Sequence, residues 1–195
     1  MEDKIKISKV SKKCYLQKGF DGRGCYGCAC CDVCCQYGAD FDKVSYDLIV
    51  QNRDMLEPLL EQTIEQCFED HFSNDPEFLG KNSIRSLTGA NGFCAFHKKN
   101  GKGCILYELA NENKVEKKII PSICRMFPIS WKNGKLIVYD EQENICIPDT
   151  CNCSEIENIT SQTIWDTQKN SIVEIFDIWE IPDVSEISEA HCVLS

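Results

Sequence analysis

Apolar residues recur at helical spacing from Leu48 onward, within a stretch that covers residues 42–72. Asp42 or Ser45 precedes this pattern, and the side-chain oxygen of either residue can cap a helix by accepting a hydrogen bond from a backbone N–H group. Pro58 interrupts the pattern, because proline lacks the N–H group that a helix interior requires. The stretch is therefore predicted to form two helices or one kinked helix.

A second apolar stripe predicts a helix over residues 160–180, with Thr160 or Ser161 as its cap. The expected buried face consists of Ile164, Trp165, Ile172, Ile175, Phe176 and Trp179.

Two Asn-Gly pairs, each flanked by short apolar runs, predict two β-hairpins. Asn100-Gly101 connects the segment GFCAFH to the segment CILY within residues 92–107. Asn133-Gly134 forms the expected turn of the second hairpin, SWKNGKLIVYDE. The segment LYELANENK, which follows the first hairpin, is expected to begin a short helix.

The other segments predict irregular backbone. Glycines break any regular pattern in residues 14–41, and residues 73–91 are polar and glycine-containing. Residues 119–130, IIPSICRMFPIS, are expected to be extended, because Pro121 and Pro128 disfavour a helix. The predicted fold class is thus α+β, with helices, two short β-hairpins and a large irregular part.

Composition narrows the range of functions. A chain of 195 residues corresponds to about one domain, and 21 Lys and Arg against 31 Asp and Glu give a net charge of −10. This acidity argues against binding to nucleic acid or to an anionic membrane surface, both of which need a basic face. No apolar run approaches the length of a membrane-spanning helix. The first ten residues, MEDKIKISKV, lack the apolar segment of a signal peptide, so the expected location is the cytoplasm.

Cysteine is the unusual residue, with 15 in the chain. An odd number cannot pair completely within one chain, and thiols stay reduced in the cytoplasm. The same density in a cytoplasmic protein favours metal ligation, and metal–thiolate bonds would hold the irregular backbone together. We therefore expect a small, irregular domain stapled by metal.

Six cysteines lie within eleven residues and form three overlapping C-x-x-C spacings; they are Cys25, Cys28, Cys30, Cys31, Cys34 and Cys35. A C-x-x-C pair places two sulfurs at a separation that suits one metal. The adjacent pairs Cys30-Cys31 and Cys34-Cys35 favour either two metals, one polynuclear cluster, or one ligand beside one packing residue. In the last case Cys30 and Cys35 are small buried hydrophobic residues.

Four later cysteines occur singly at the edges of predicted elements: Cys94, Cys104, Cys124 and Cys146. They either complete a site begun by the N-terminal loop or are buried core residues. Further candidate ligands are Cys25, Cys30, Cys151, Cys153 and His97. Cys67 is expected in the core, and Arg125 either offsets thiolate charge or is exposed.

These residues resemble the bacterial and archaeal cysteine-cluster family described as zinc- or iron-chelating proteins, the YkgJ-like group with a CxxxCxxCC motif. Cys31, Cys34 and Cys35 match the C-x2-C-C part of the motif, and the segment PSICRMFPISWKNGKL is similar to that family. The upstream position departs from the motif, because a three-residue gap falls on Gly27. The resemblance covers roughly residues 25–150 and implies the metal ligands Cys31, Cys34, Cys35, Cys94, Cys104, Cys124 and Cys146. We assign the upstream position to Cys28, which is one residue closer than the motif requires, with Cys25 as the alternative.

Thiolate ligands select zinc or iron–sulfur over magnesium, calcium or manganese. Eight cysteines suffice for two closed zinc sites or for one iron–sulfur cluster with spare thiols. We expect a cysteine-cluster metal-binding domain over residues 1–150 and a C-terminal helical extension, 151–195, packed on it. The expected function is metal binding, with the protein partner or substrate left open.

Two other functions fit the cysteines. One branch of the family resembles the flagellin lysine N-methylases, which implies an enzyme with an iron–sulfur cluster that acts on a protein side chain with S-adenosylmethionine. No G-x-G-x-x-G motif follows a predicted strand in this chain. The other function is a thiol redox sensor that uses Cys151 and Cys153, or Cys25 and Cys28.

Overall fold

The computed structural model describes residues 4–20, 32–141 and 159–179. The α-helices in these ranges are short except for the last one. They are α1 Lys13–Leu16, α2 Lys43–Gln51, α3 Arg53–Leu56, α4 Ile105–Asn111, α5 Ser122–Met126 and α6 Ile164–Ile175.

The strands are also short, and they form several small sheets. They are β1 Ile5–Ile7, β2 Lys9–Val10, β3 Lys18–Phe20, β4 Asp40–Asp42, β5 Ser73–Asn74, β6 Asn82–Arg85, β7 Ile129–Lys132, β8 Lys135–Val138, β9 Ile159–Thr163 and β10 Phe176–Ile178. The predicted α+β class is confirmed.

Three small sheets join the N-terminal strands to strands from later in the chain. Strand β1 pairs in parallel with β10, and β3 pairs antiparallel with β9. Strand β2 pairs in parallel with β8, which also forms an antiparallel hairpin with β7. A hydrophobic core lies among these elements and includes Ile7, Met126, Leu136 and Ile172. The first and last described segments therefore belong to one packed unit.

The central part of the chain forms a second hydrophobic core. Strands β4, β6 and β5 form its antiparallel sheet. Phe41, Phe68 and Phe96 are buried there, with ring centroids 5.1–5.4 Å apart. Cys67 is fully buried in this core, as expected, and the partly buried Cys94, Cys104 and Cys124 pack against its edge.

The hairpin around Asn133-Gly134 is confirmed. Both turn residues have positive φ angles, 52° and 71°, which is the backbone that a type I′ turn needs. The first hairpin prediction was wrong, because CILY does not return as a strand. Single antiparallel bridges join Thr88 to Cys94 and His97 to Cys104, and the chain then enters α4. The apolar residues of α4 are buried almost all round, so packing favours the helix.

The predicted helix over residues 42–72 ends early. Asp42 caps α2, since its side chain accepts a hydrogen bond from the backbone N–H of Ser45 at 3.2 Å. Helix α3 passes into a 3-10 turn that contains Pro58, and the chain continues in an extended conformation at Leu60. Ile64 and Phe68 are buried from irregular backbone, so the apolar spacing reflected burial in the core rather than a continuous helix.

The extended conformation predicted for residues 119–130 was wrong, because Ser122–Met126 forms α5. Pro121 precedes the first helical residue, where a missing N–H group costs nothing. The cap comes from a distant element. The Asp42 carboxylate accepts hydrogen bonds from Ser122 N at 3.0 Å and Ser122 Oγ at 2.7 Å. Tertiary structure thus supplies the helix start that the local sequence lacks.

The remaining differences are local. Helix α6 begins at Ile164, and its cap is Thr163 rather than Thr160 or Ser161. Of its expected buried face, Trp179 is 69% exposed and lies beyond β10. Strand β6 occupies part of the predicted loop 73–91, and α1, β3 and β4 occupy parts of the predicted loop 14–41. Strand pairing with distant segments orders these stretches.

In the part of the chain that the structure describes, no helix combines the length and apolar character needed to cross a membrane. The predicted domain boundary at residue 150 falls outside the described residues and stays a prediction.

Candidate metal centre

Five of the eight predicted ligands lie in described segments and come from three separate parts of the chain; they are Cys34, Cys35, Cys94, Cys104 and Cys124. The other three, Cys28, Cys31 and Cys146, lie outside the described residues, as do the further candidates Cys25, Cys30, Cys151 and Cys153.

Cys34 and Cys35 lie in a 3-10 turn, Val33–Cys35, that begins at Asp32. Asp32 has a left-handed backbone with φ of 56°, and its carbonyl oxygen accepts a hydrogen bond from Cys35 N at 2.8 Å. A hydrogen bond between the two thiols raises the pKa of Cys35 well above its ordinary value. The turn therefore keeps both adjacent sulfurs together, where an extended segment would point them to opposite faces.

Cys94 is brought to this turn by the backbone. Its N–H group donates a hydrogen bond to Cys35 O at 2.7 Å. Its sulfur lies 3.3 Å from Ser86 Oγ, which also accepts a hydrogen bond from Ala39 N at 2.8 Å. Ser86 thus fixes Cys94 against the chain that follows Cys35.

Cys104 lies beside Cys94 because the loop between them closes. The bridge between His97 and Cys104 and a hydrogen bond from Lys98 N to Gly103 O, 3.0 Å long, form the closure. The closed loop places Cys94 within electrostatic reach of Cys104, although the described residues of this loop form single bridges rather than a two-stranded hairpin. Cys124 lies in α5, and Tyr107 Oη in α4 donates a hydrogen bond to Cys124 O at 2.6 Å.

The electrostatics of the thiols show that the five form one group. After the hydrogen bond with Cys34, burial and the charges of Cys34, Cys104 and Cys124 further raise the pKa of Cys35. Burial raises the pKa of Cys104 to about 12, and the charge of Cys94 adds to the rise. Burial raises the pKa of Cys94 as well, with a smaller contribution from Cys34. Burial and the neighbouring thiols therefore both disfavour the charged forms of Cys35, Cys94 and Cys104.

A buried contact between His97 and Asp32 lies next to this group. His97 Nε2 is 3.1 Å from Asp32 Oδ2, which also accepts a hydrogen bond from Gly103 N at 2.9 Å. The His97 side chain is 8% exposed and stacks on Phe93, with ring centroids 4.5 Å apart. Within the described residues, His97 Nδ1 is buried without a hydrogen-bond partner.

Arg125, which follows Cys124, is also buried rather than exposed. Its side chain is 10% exposed, and Nη1 donates to Glu174 Oε2 at 3.0 Å. Its Nε atom has no hydrogen-bond partner among the described residues. A carboxylate of α6 therefore holds the guanidinium group of the residue that follows Cys124.

Sequence reasoning missed Asp32 and Ser86, which organise the site. Asp32 lies within the cysteine-rich loop, and a short polar residue that tolerates positive φ is a recognisable turn signal there. Ser86 carries no such signal, because its partners are 47 and 8 residues away.

Among residues 4–20, 32–141 and 159–179, no three His, Cys, Asp or Glu side chains are arranged so that they could hold a metal ion. The described thiols converge without forming a complete ligand set. Five sulfurs and one unpartnered imidazole nitrogen nevertheless suit zinc or iron.

Gly38 positions the segment that carries Ser86, and its replacement provides a test of that contact. Gly38 has φ of +72°, and an added Cβ atom would lie 2.3 Å from Ser86 O. We expect Gly38→Ala to lower the free energy of unfolding by about 1–3 kcal/mol more than Gly80→Ala does. Gly80 has nearly the same φ, +71°, but open space around the added atom, so it controls for backbone strain. Equal losses in chemical denaturation would contradict the close contact.

Comparison of the whole chain with protein-family models, with curated proteins and with solved structures finds no match. The resemblance to the cysteine-cluster family therefore stays a prediction that depends on the motif residues.

Proposed function

We propose that this protein binds a thiophilic metal, zinc or an iron–sulfur cluster, through its cysteine group. The observation that carries the proposal is the convergence of Cys34, Cys35, Cys94, Cys104 and Cys124 from three segments of the chain. Burial of unrelated core cysteines would not by itself link five of them through electrostatic interactions. Cys28, Cys31 and Cys146 are the proposed additional ligands.

The surroundings of the thiols also support the proposed metal binding. Thiols that are buried together destabilise each other's charged forms, so the group gains most from a cation that stabilises several thiolates at once. The backbone around the group contains few regular elements, and ligation would contribute folding free energy there. The elements that deliver the thiols are held by specific contacts, such as the Cys94 N to Cys35 O hydrogen bond.

The proposed role of the chain's own residues is to collect and shield the ligands. The turn that begins at Asp32 presents Cys34 and Cys35, and the closed loop between Cys94 and Cys104 presents the next two sulfurs. Bound zinc would link these segments structurally, whereas a cluster would add electron-transfer chemistry.

The deciding experiment is anaerobic purification followed by metal analysis, acid-labile sulfide analysis and a visible absorption spectrum on one sample. A colourless protein with zinc supports a structural or metal-handling site. A brown protein with iron and sulfide supports a cluster, and S-adenosylmethionine binding then becomes the next measurement. A protein without bound metal, whose thiols react freely with an alkylating reagent, would overturn the proposal.

A further inference from the structure

His97 has one ring nitrogen with a partner and one without. Nε2 lies 3.1 Å from Asp32 Oδ2, whereas Nδ1 is buried and has no hydrogen-bond partner within the described residues. Buried polar atoms without partners are rare, because each costs the free energy of its lost hydration. A buried nitrogen without a protein partner therefore points to a ligand, an ion or a water that binds it.

The Asp32 carboxylate determines which nitrogen can bind a cation. An ionised carboxylate only accepts hydrogen bonds, so Nε2 carries the proton and donates it to Asp32. The lone pair of the neutral ring then lies on Nδ1. Metal-binding histidines almost always donate their other N–H group to a carboxylate, a carbonyl oxygen or a water in this way. The arrangement of His97 and Asp32 is therefore that of a metal ligand and the carboxylate that orients it.

The backbone of His97 pairs with two residues of the cysteine group. It lies directly opposite Cys104 in an antiparallel bridge, and its N–H group donates to Cys94 O at 2.8 Å. Residues opposite each other in such a pair have Cβ atoms about 4.5–5.5 Å apart on the same face. Zinc bonds of about 2.3 Å to sulfur and about 2.0–2.1 Å to nitrogen span such a gap.

The contacts of the ring hold it in one orientation. Phe93 stacks on the imidazole with an interplanar angle of 20°. Asp32 is itself held by Gly103 N at 2.9 Å, and its backbone begins the turn of Cys34 and Cys35. Asp32 therefore connects the imidazole and the residue before Cys104 through its carboxylate, and the Cys34–Cys35 turn through its backbone.

We propose that His97 binds the metal through Nδ1 together with thiolates of the cysteine group, and that Asp32 is its positioning residue. This inference rests on the proposed metal-binding function and changes the all-cysteine ligand set into a mixed sulfur and nitrogen set. A neutral imidazole in place of a thiolate also reduces the negative charge that the metal site must accommodate.

The test is X-ray absorption at the edge of the metal that the anaerobically purified protein holds. We expect a nitrogen shell and the outer-shell scattering pattern of an imidazole beside the sulfur shell. The chain has three histidines, so a double variant, His71→Gln with His191→Gln, leaves His97 as the only source. The imidazole pattern should persist in this variant, which keeps every residue of the proposed site.

Three variants of the proposed site measure the contributions of His97 and Asp32. His97→Gln should weaken metal binding at least tenfold in a competition assay with a chelator, and His97→Cys should keep the metal but show sulfur scattering only. Asp32→Asn should weaken binding about 10–100-fold, as expected for loss of an orienting partner. His71→Gln is the matched control, because His71 is exposed, and it should leave the affinity unchanged.

The outcomes separate this inference from the proposed function. A wild-type protein that binds metal with a sulfur-only shell overturns the role of His97 and leaves metal binding intact. Loss of the imidazole pattern in the double variant has the same meaning. A wild-type protein without metal overturns both. Because the decisive spectra use the wild type and a variant outside the site, a folding defect in His97→Gln does not affect the result.

Discussion

Cys34→Ser is expected to lose most of the bound metal and to lower the melting temperature of the metal-loaded protein by about 8–16 °C. Cys34 is the central thiol of the described group, since it interacts electrostatically with Cys35, Cys94 and Cys104. A ligand present at 1,000 times its dissociation constant stabilises the folded state by about 4 kcal/mol. In a chain of this length each kcal/mol corresponds to about 2–4 °C.

The matched control is Cys14→Ala. Cys14 is fully buried but lies in the other hydrophobic core, among Ile7, Leu136 and Ile164. This variant should keep the full metal content and lose only about 1 kcal/mol of stability, because a small buried group is removed. Thermal unfolding and metal analysis before and after chelator treatment distinguish the two variants. A Cys34→Ser protein with wild-type metal content and melting temperature would show that the ligand assignment is wrong.

Asp42→Ala is expected to lower the free energy of unfolding by about 3–5 kcal/mol, a large part of the roughly 5–15 kcal/mol that stabilises a typical domain. Asp42 is 2% exposed, and its carboxylate accepts hydrogen bonds from Ser45 N, Ser45 Oγ, Ser122 N and Ser122 Oγ. Alanine removes the cap of α2, at about 1 kcal/mol, and leaves buried donors unpaired at about 1–3 kcal/mol each. Urea denaturation measures the loss.

The control for Asp42 is Asp166→Ala, which disrupts the capping box at the start of α6. Asp166 is exposed, so its removal should cost only about 1 kcal/mol. A double-mutant cycle of Asp42→Ala with Ser122→Ala should give a coupling energy of about 0.5–3 kcal/mol. Additive losses would show that Asp42 does not stabilise α5.

Local sequence predicted well where neighbouring residues decide the structure. The Asn133-Gly134 turn follows from two adjacent residues that tolerate positive φ, and the cap of α2 follows from Asp42 and the N–H group three residues later. The prediction failed at α5, because its cap is a carboxylate 80 residues away. It also failed at CILY, where burial of α4 in the core outweighed the turn signal of Asn100-Gly101.

In the candidate site, too, the sequence predicted residue types but not the contacts between distant residues. The residue types and spacings of the cysteines predicted thiolate ligands, and five of the predicted thiols lie in described segments. The partnership of Asp32 with His97, 65 residues apart, had no signal in the spacing. The sequence makes His97 a candidate ligand because it follows Cys94 by three residues. On a regular strand, however, this spacing would place the two side chains on opposite faces. The observed turn between them removes that objection.

The sequence alone determined the α+β class and the turns that depend on adjacent residues, and it supplied the cysteines of the proposed site, because these follow from side-chain type and local backbone preference. Tertiary structure decided the pairing of β1 with β10, the start of α5, and the alignment of Cys34, Cys94 and Cys104 around the Asp32–His97 pair. Each of these depends on hydrogen bonds or packing between distant segments. Such contacts form only when the hydrophobic cores bring those segments together.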